Sequence, residues 1–268
     1  MKSGPSGRKP WQIGMLPMAV FLLVALVQAK GREAAASDVT VYAAASLQAA
    51  LTEIGHRYEE AHPGTKVFFG FDSSGALARK IEAGAPVDVY ISASEKWMQY
   101  LVKQQKVPSD QSKVLLRNRL ICVIPADSDL KLKGAEDLVG VSRIAIGDPA
   151  QAPAGEYAME ALKKLGLWEK LDREKQMVFG SNVRIALSWV ESKEVQAGIV
   201  YQSDAKASTK VKQAFVFPWD SHSPITYLMG PVGRSAAARH FMHFLESDVA
   251  SDIFTQQGFI PAAKAKAE

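Results

Sequence analysis

From residue 39 onward the chain alternates between two hydrophobic periods. Val39-Thr40-Val41-Tyr42 is a β-branched and aromatic run that reads as a strand. Three alanines and Ser46 follow, and apolar residues then recur at Leu47, Ala50, Leu51, Ile54 and Tyr58, which is the spacing of one helix face. That helix is predicted over about 47–61 and is stopped by His62-Pro63-Gly64. The unit then repeats: a strand over 66–71, the turn Asp72-Ser73-Ser74-Gly75, and a helix carrying Leu77 and Ile81 that ends at Gly84. A third strand over 87–91 leads through Ser92-Ala93-Ser94 into an amphipathic helix with Trp97, Leu101 and Val102. Two short apolar runs, 114–116 and 120–124, are further strands, and the loop and helical turn over 130–138 reads as the introduction to a new domain. Beyond it the pattern gives a strand over 143–146, a long small-residue loop over 147–155 and a helix over 156–165. A strand over 177–179 is followed by Gly180-Ser181-Asn182 and a helix carrying Val183, Ala186, Trp189 and Val190. Ala197 to Tyr201 is a strand with capping residues behind it, 214–217 and 224–229 are extended, and the chain closes with helices over 235–246 and 249–256.

Alternating strands and helices predict an α/β fold of helix-covered, mostly parallel sheets, whose functional loops lie beyond the carboxyl ends of the strands. The turns ahead of Leu47, Gly75, Glu156 and Val183 all fall at that end. A helix N-terminus leaves backbone N–H groups without partners inside the helix and carries a partial positive charge, so small-residue turns there can receive an anion. Ser46 has two readings at this level, as the cap of its own helix or as an anion contact, because Ser is a preferred N-cap. Four such turns facing one another would surround a small oxyanion with donors alone. A donor-only site also rejects protonated oxyanions, because an O–H facing another donor leaves both unsatisfied.

Charge changes the picture only at the start of the chain. The net charge of +4 belongs to residues 1–36, which hold Lys2, Arg8, Lys9, Lys30 and Arg32 against Glu33; the remaining residues balance at 27 basic and 27 acidic. There is thus no electrostatic case for a nucleic-acid partner. A basic start, an apolar run over 15–27 and small-residue sites after Ala29 or Ala36 predict a signal peptide over 1–36 and an exported, periplasmic protein, with an uncleaved N-terminal anchor as the alternative. Cys122, the single cysteine, lies in an apolar run and is expected in the core. His240 and His243 share a helix face, but no carboxylate or thiol cluster accompanies them, so they read as a solvated face rather than a metal pair. Asp148 before Pro149 reads as turn chemistry. Ser74 could serve a secreted serine hydrolase, but no histidine sits in a loop of the same kind to act as its base.

Five segments occur in register: Ala43-Ala44-Ala45-Ser46-Leu47; Ser73 to Ala78 with Ile81 to Pro86; Gly147-Asp148-Pro149 through Pro153-Ala154-Gly155; Asn182-Val183-Arg184; and Gly198-Ile199-Val200-Tyr201. In this order, over about 39–259, the chain resembles the periplasmic molybdate-binding proteins of ABC transporters, within the type II periplasmic-binding-protein superfamily. The resemblance implies two α/β lobes joined by crossover hinge strands, 38–119 plus 223–266 and 120–222, which close over molybdate or tungstate. It implies that Ser46 and Ser74 donate hydroxyl and N–H groups from the first lobe, that Ala154 and Val183 donate backbone N–H groups from the second, and that the Tyr201 hydroxyl completes the set. These residues would act as oxyanion donors and not as direct metal ligands. The expected partners are the small oxyanion and a membrane ABC permease, with the protein a monomer that uses no cofactor and catalyses no reaction. A receptor for another tetrahedral oxyanion or small organic anion is the alternative within the class. Two positions depart from the resemblance. Asp72 stands where many relatives carry Gly or Ala, and Tyr227-Leu228-Met229 lacks a proline often found in the returning strand.

Overall fold

The computed structural model describes residues 1–4, 7, 38–233 and 235–262. Nearly all of the leader lies outside these residues. Two sheets organise the chain from residue 38 onward. The first contains β1 (Val39–Ala44), β2 (Val67–Asp72), β3 (Val89–Ser92), β4 (Lys113–Arg117), β10 (Thr226–Pro231) and β11 (Ile260–Pro261), in the order β11-β4-β10-β3-β1-β2. The second contains β5 (Leu120–Pro125), β6 (Ile144–Gly147), β7 (Met177–Gly180), β8 (Ala197–Tyr201) and β9 (Val211–Val216), in the order β7-β6-β8-β5-β9. Each sheet with its helices is one lobe. The chain passes between them twice, at Asn118 and Arg119 and again between β9 and β10.

Both sheets are mixed, which corrects the expectation of mostly parallel ones. β1 is parallel to β2 and β3, and β6 is parallel to β7 and β8. β10, however, enters the first sheet antiparallel between β3 and β4, and β5 runs antiparallel to both β8 and β9. The strands that reverse direction flank the two crossings between lobes. A strand-helix alternation in sequence records neighbours along the chain, not the sheet to which a returning segment goes, so this reversal left no local signal.

The helices are α1 (Gln48–Ala61), α2 (Ser74–Glu82), α3 (Glu95–Lys103), α4 (Pro153–Lys164), α5 (Trp168–Arg173), α6 (Val183–Glu191), α7 (Gln202–Lys206), α8 (Ala236–Leu245) and α9 (Asp248–Gln256). α1 begins behind a 3-10 turn, Ala45–Leu47. Its apolar stripe of Ala50, Leu51, Ile54 and Tyr58 is buried, as the period demands. α4 starts three residues earlier than expected because Pro153, at its first position, needs no N–H partner there. α5, α7 and β11 carried no usable period at their lengths. The 3-10 segment Ala135–Gly140, read as opening a new domain, lies behind β5 and therefore within the second sheet's lobe. Cys122 is buried in β5, and burial pushes its thiol up to about 12. His240 and His243 are exposed on α8.

Candidate functional site

The carboxyl ends of β1, β2, β6, β7 and β8 deliver their loops to one place. Ala44 ends β1 and Ala45 and Ser46 follow it; Asp72 ends β2 and Ser73 and Ser74 follow it; Pro153 and Ala154 open α4; Asn182 and Val183 stand at the start of α6; and Tyr201 ends β8. Together with Ala93 they line one small cavity of about 200 Å³, its mouth included. All five residues singled out in the sequence, Ser46, Ser74, Ala154, Val183 and Tyr201, are in this lining.

The donors around the cavity follow a pattern. At α2, Ser73 Oγ caps the Ala76 N–H, and the Gly75 N–H goes to the Gln151 carbonyl at 3.0 Å. At α4, the Gly155 and Glu156 N–H groups both go to the Ala152 carbonyl. At α6, Asn182 Oδ1 takes the Arg184 and Ile185 N–H groups. In each case one N–H is passed over: among the described residues, none accepts that of Ser74, Ala154 or Val183. The Tyr201 hydroxyl is buried and likewise has no hydrogen-bond partner among them. Burial, with Tyr227 adding to it, pushes this hydroxyl well above its ordinary value, so it keeps its proton and acts as a donor. Unpaired buried donors are rare and costly in native proteins, and four of them converge here.

The two serine hydroxyls are oriented by neighbours. Ser74 Oγ accepts the Ala93 N–H at 3.0 Å, which leaves its own proton free. Ser46 does not cap α1: Ala44 is the cap residue of the 3-10 turn and makes no side-chain cap bond, and Ser46 Oγ instead lies 2.8 Å from the Tyr227 hydroxyl. Asn118 Oδ1 accepts the Arg119 N–H, so its Nδ2 is the donor that reaches Ser203 Oγ and the Tyr227 hydroxyl at 2.9 and 3.3 Å. Tyr227 accepts from Asn118, so its own proton is available to Ser46, and a bond made in that direction leaves the Ser46 proton for the cavity. Such a chain polarises each member. Tyr227 and Asn118 stand behind the lining residue Ser46, a contact that local sequence reading missed, since Ser46 and Tyr227 are 181 positions apart.

Two carboxylates stand near these donors. Asp72, the departure in the second turn, is paired on every side: its Oδ1 accepts the Ser73 N–H at 2.8 Å and Asn182 Nδ2 at 3.3 Å, and its Oδ2 faces Lys80 Nζ at 3.2 Å. These three donors occupy most of the acceptor sites of its carboxylate. Asp204 is fully buried behind Tyr201 and accepts the Tyr201 N–H at 3.1 Å through Oδ2, while Oδ1 has no partner among the described residues. Burial raises its carboxyl to about 7, against the lowering effects of Arg184 and the Tyr201 N–H. Around the cleft the lobes also touch directly: Lys96 Nζ and Trp97 Nε1 of α3 both reach Glu156 Oε1 of α4, at 2.9 and 3.0 Å, and the Tyr157 hydroxyl donates to the Ala93 carbonyl at 3.3 Å.

The departure at Tyr227-Leu228-Met229 falls on a shift of register between Tyr227 and Leu228 in the pairing of β10 with β4. No group of three or more histidine, cysteine or acidic side chains suited to a metal ion occurs among the described residues, and no helix among them is long and apolar enough to cross a membrane.

Comparison with known proteins gives one consistent picture. The sequence pattern of the bacterial extracellular solute-binding proteins matches residues 39–260. The molybdate-binding protein ModA of Haemophilus influenzae is 42% identical over 233 residues, covering 84% of this chain and 91% of that protein. ModA of Escherichia coli is 41% identical over 230 residues, covering 82% and 88%. The periplasmic molybdate-binding protein of Azotobacter vinelandii superposes with a TM-score of 0.76 at 24% identity, over 83% of this chain and 98% of that one, which supports the fold.

Proposed function

The chain belongs to the bacterial extracellular solute-binding proteins, and we propose that it captures molybdate, and tungstate with it, between its two lobes and delivers the ion to a membrane ABC permease. The observation that carries this reading is the convergence of the Ser74, Ala154 and Val183 N–H groups and the Tyr201 hydroxyl, all without partners among the described residues, on one cavity. Ser46 and Ser74 add hydroxyl groups, each held in place by a neighbour, and Ser74, accepting the Ala93 N–H, keeps its own proton free. The names of relatives above 40% identity supply the ion.

The chemistry agrees with a fully deprotonated tetrahedral dianion. Hydrogen bonds to a charged acceptor are roughly twice as strong as neutral ones, so neutral donors suffice without Arg or Lys in the lining. Each donor is fixed to a helix start or strand end, so cavity size sets the preference: longer metal–oxygen bonds reach all the donors, and the smaller sulfate leaves some unmade. Hydrogen phosphate brings an O–H into a lining made mainly of donors. Capture needs no covalent step, so Ser74 acts as a donor and not as a nucleophile. The lobes are taken as 38–119 plus 223–266 and 120–222, with the leader directing export to the periplasm, where the protein works as a monomer. Calorimetric titration of the purified protein with molybdate, tungstate, sulfate and phosphate tests the reading. Tight binding of the first two and none of the others is expected; tight binding of sulfate or phosphate with no response to molybdate would overturn it.

A further inference from the structure

We propose that Asp72 is a cross-cleft positioning residue: its carboxylate grips Asn182 of the opposite lobe, holds the start of α6 against the bound oxyanion, and so slows release of the ion. The proposal rests on the reading of the cavity as an oxyanion site. Asp72 ends β2 in the first lobe and Asn182 precedes α6 in the second, and both line the cavity. The Asn182 amide is used at both ends, with Oδ1 capping the Arg184 and Ile185 N–H groups while Nδ2 donates to Asp72 Oδ1 at 3.3 Å. Turning the amide would break the cap and the bridge together. The Val183 N–H, the donor offered by α6, is the next group along the backbone.

A carboxylate in the lining of an anion site repels the ligand. Here that cost is limited, because Lys80 faces Oδ2 at 3.2 Å and the Ser73 N–H shares Oδ1 at 2.8 Å. What the carboxylate gains is a bond to the other lobe that exists only while the two are together. Its loss acts on the closed state and hence on dissociation. Association starts from separated lobes, where removing a negative charge cannot slow an incoming anion.

The test compares Asp72→Ala with Asp72→Asn, measuring affinity for molybdate by calorimetry and release of labelled molybdate by exchange against excess cold ion. Asp72→Ala should release the ion about tenfold faster with association no slower, the scale of one lost charge-assisted hydrogen bond. Asp72→Asn keeps an acceptor for both the Ser73 N–H and Asn182 Nδ2, and should release within about threefold of the parent. Release from Asp72→Ala within twofold of the parent overturns the proposal, and so does equally fast release from both variants, which would assign the effect to charge alone. A parent that binds no molybdate overturns the functional reading instead. The bridge is then decided without ligand, by the distance between spin labels at Lys103→Cys on α3 and Lys170→Cys on α5, since buried Cys122 does not compete for label. A longer distance in Asp72→Ala supports the bridge, and an unchanged one overturns it.

Discussion

At the scale of single residues, Tyr201 and Ser46 make opposite kinds of prediction. The Tyr201 hydroxyl is buried without a partner among the described residues, so Tyr201→Phe removes a desolvated group that no hydrogen bond among them repays. Its melting temperature should match or exceed that of the parent, while molybdate affinity falls by about 1.5–3 kcal/mol, the range for hydrogen bonds to charge. Ser46→Ala should weaken binding by about 1–3 kcal/mol. Tyr227→Phe should weaken it too, and the double variant should cost less than the sum, because Tyr227 acts on the ion only through the Ser46 hydroxyl. Additive losses in a calorimetric cycle would break that chain. Asp204 gives a pH dependence with a definite sign. Its carboxyl is raised from 3.8 to about 7 by burial, so the folded protein holds this proton more tightly than the unfolded chain. The stabilising contribution is complete below about pH 4 and is lost as pH rises through 7. Asp204→Asn keeps the acceptor for the Tyr201 N–H and removes the titration, so its melting temperature relative to the parent should climb between pH 4 and pH 8 and then level off.

At the scale of elements, the starts of the helices were legible because a helix start is a local event. Small residues, Asn182 as a preferred cap and Pro153 as a first residue place the passed-over N–H groups within a residue or two of where they lie. Strand direction was not legible, since β5 and β10 take their places only after the chain has changed lobes. Nor was the Ser46–Tyr227 contact, which depends on the register of a returning strand. Helix placement itself hangs on one glycine. A Cβ at Gly155 would lie 1.9 Å from the Gly147 carbonyl oxygen, backbone that cannot swing aside as a side chain can. Gly155→Ala should therefore push the first turn of α4 off the end of β6. Urea unfolding should show a loss of about 3 kcal/mol or more, and affinity should fall with it because the Ala154 N–H moves too.

At the scale of the whole molecule, the lobes meet through buried apolar side chains, Tyr201 against Tyr227 among them at 6.0 Å between ring centres, and through polar contacts near the cleft. Asp72 pairs with Asn182 in the cavity lining, and Gly75 with Gln151 and Glu156 with Lys96 and Trp97 join the lobes beyond it. The sequence shows each of these residues but not their pairing, because every pair joins segments whose distance depends on how two separately built sheets face each other. One contact also gives the protein a built-in optical gauge. Trp97 is only 6% exposed, its ring has the Arg79 and Lys96 cations over it at 5.2 and 5.0 Å, and its N–H goes to a carboxylate of the opposite lobe. Separation of the lobes would strip away that carboxylate and let water reach the ring. Emission from this tryptophan should then shift to longer wavelength when the cleft opens and back when molybdate closes it. Trp97→Phe should erase the ligand-dependent part of the signal, so that opening and closing can be followed in the unlabelled protein by its own fluorescence.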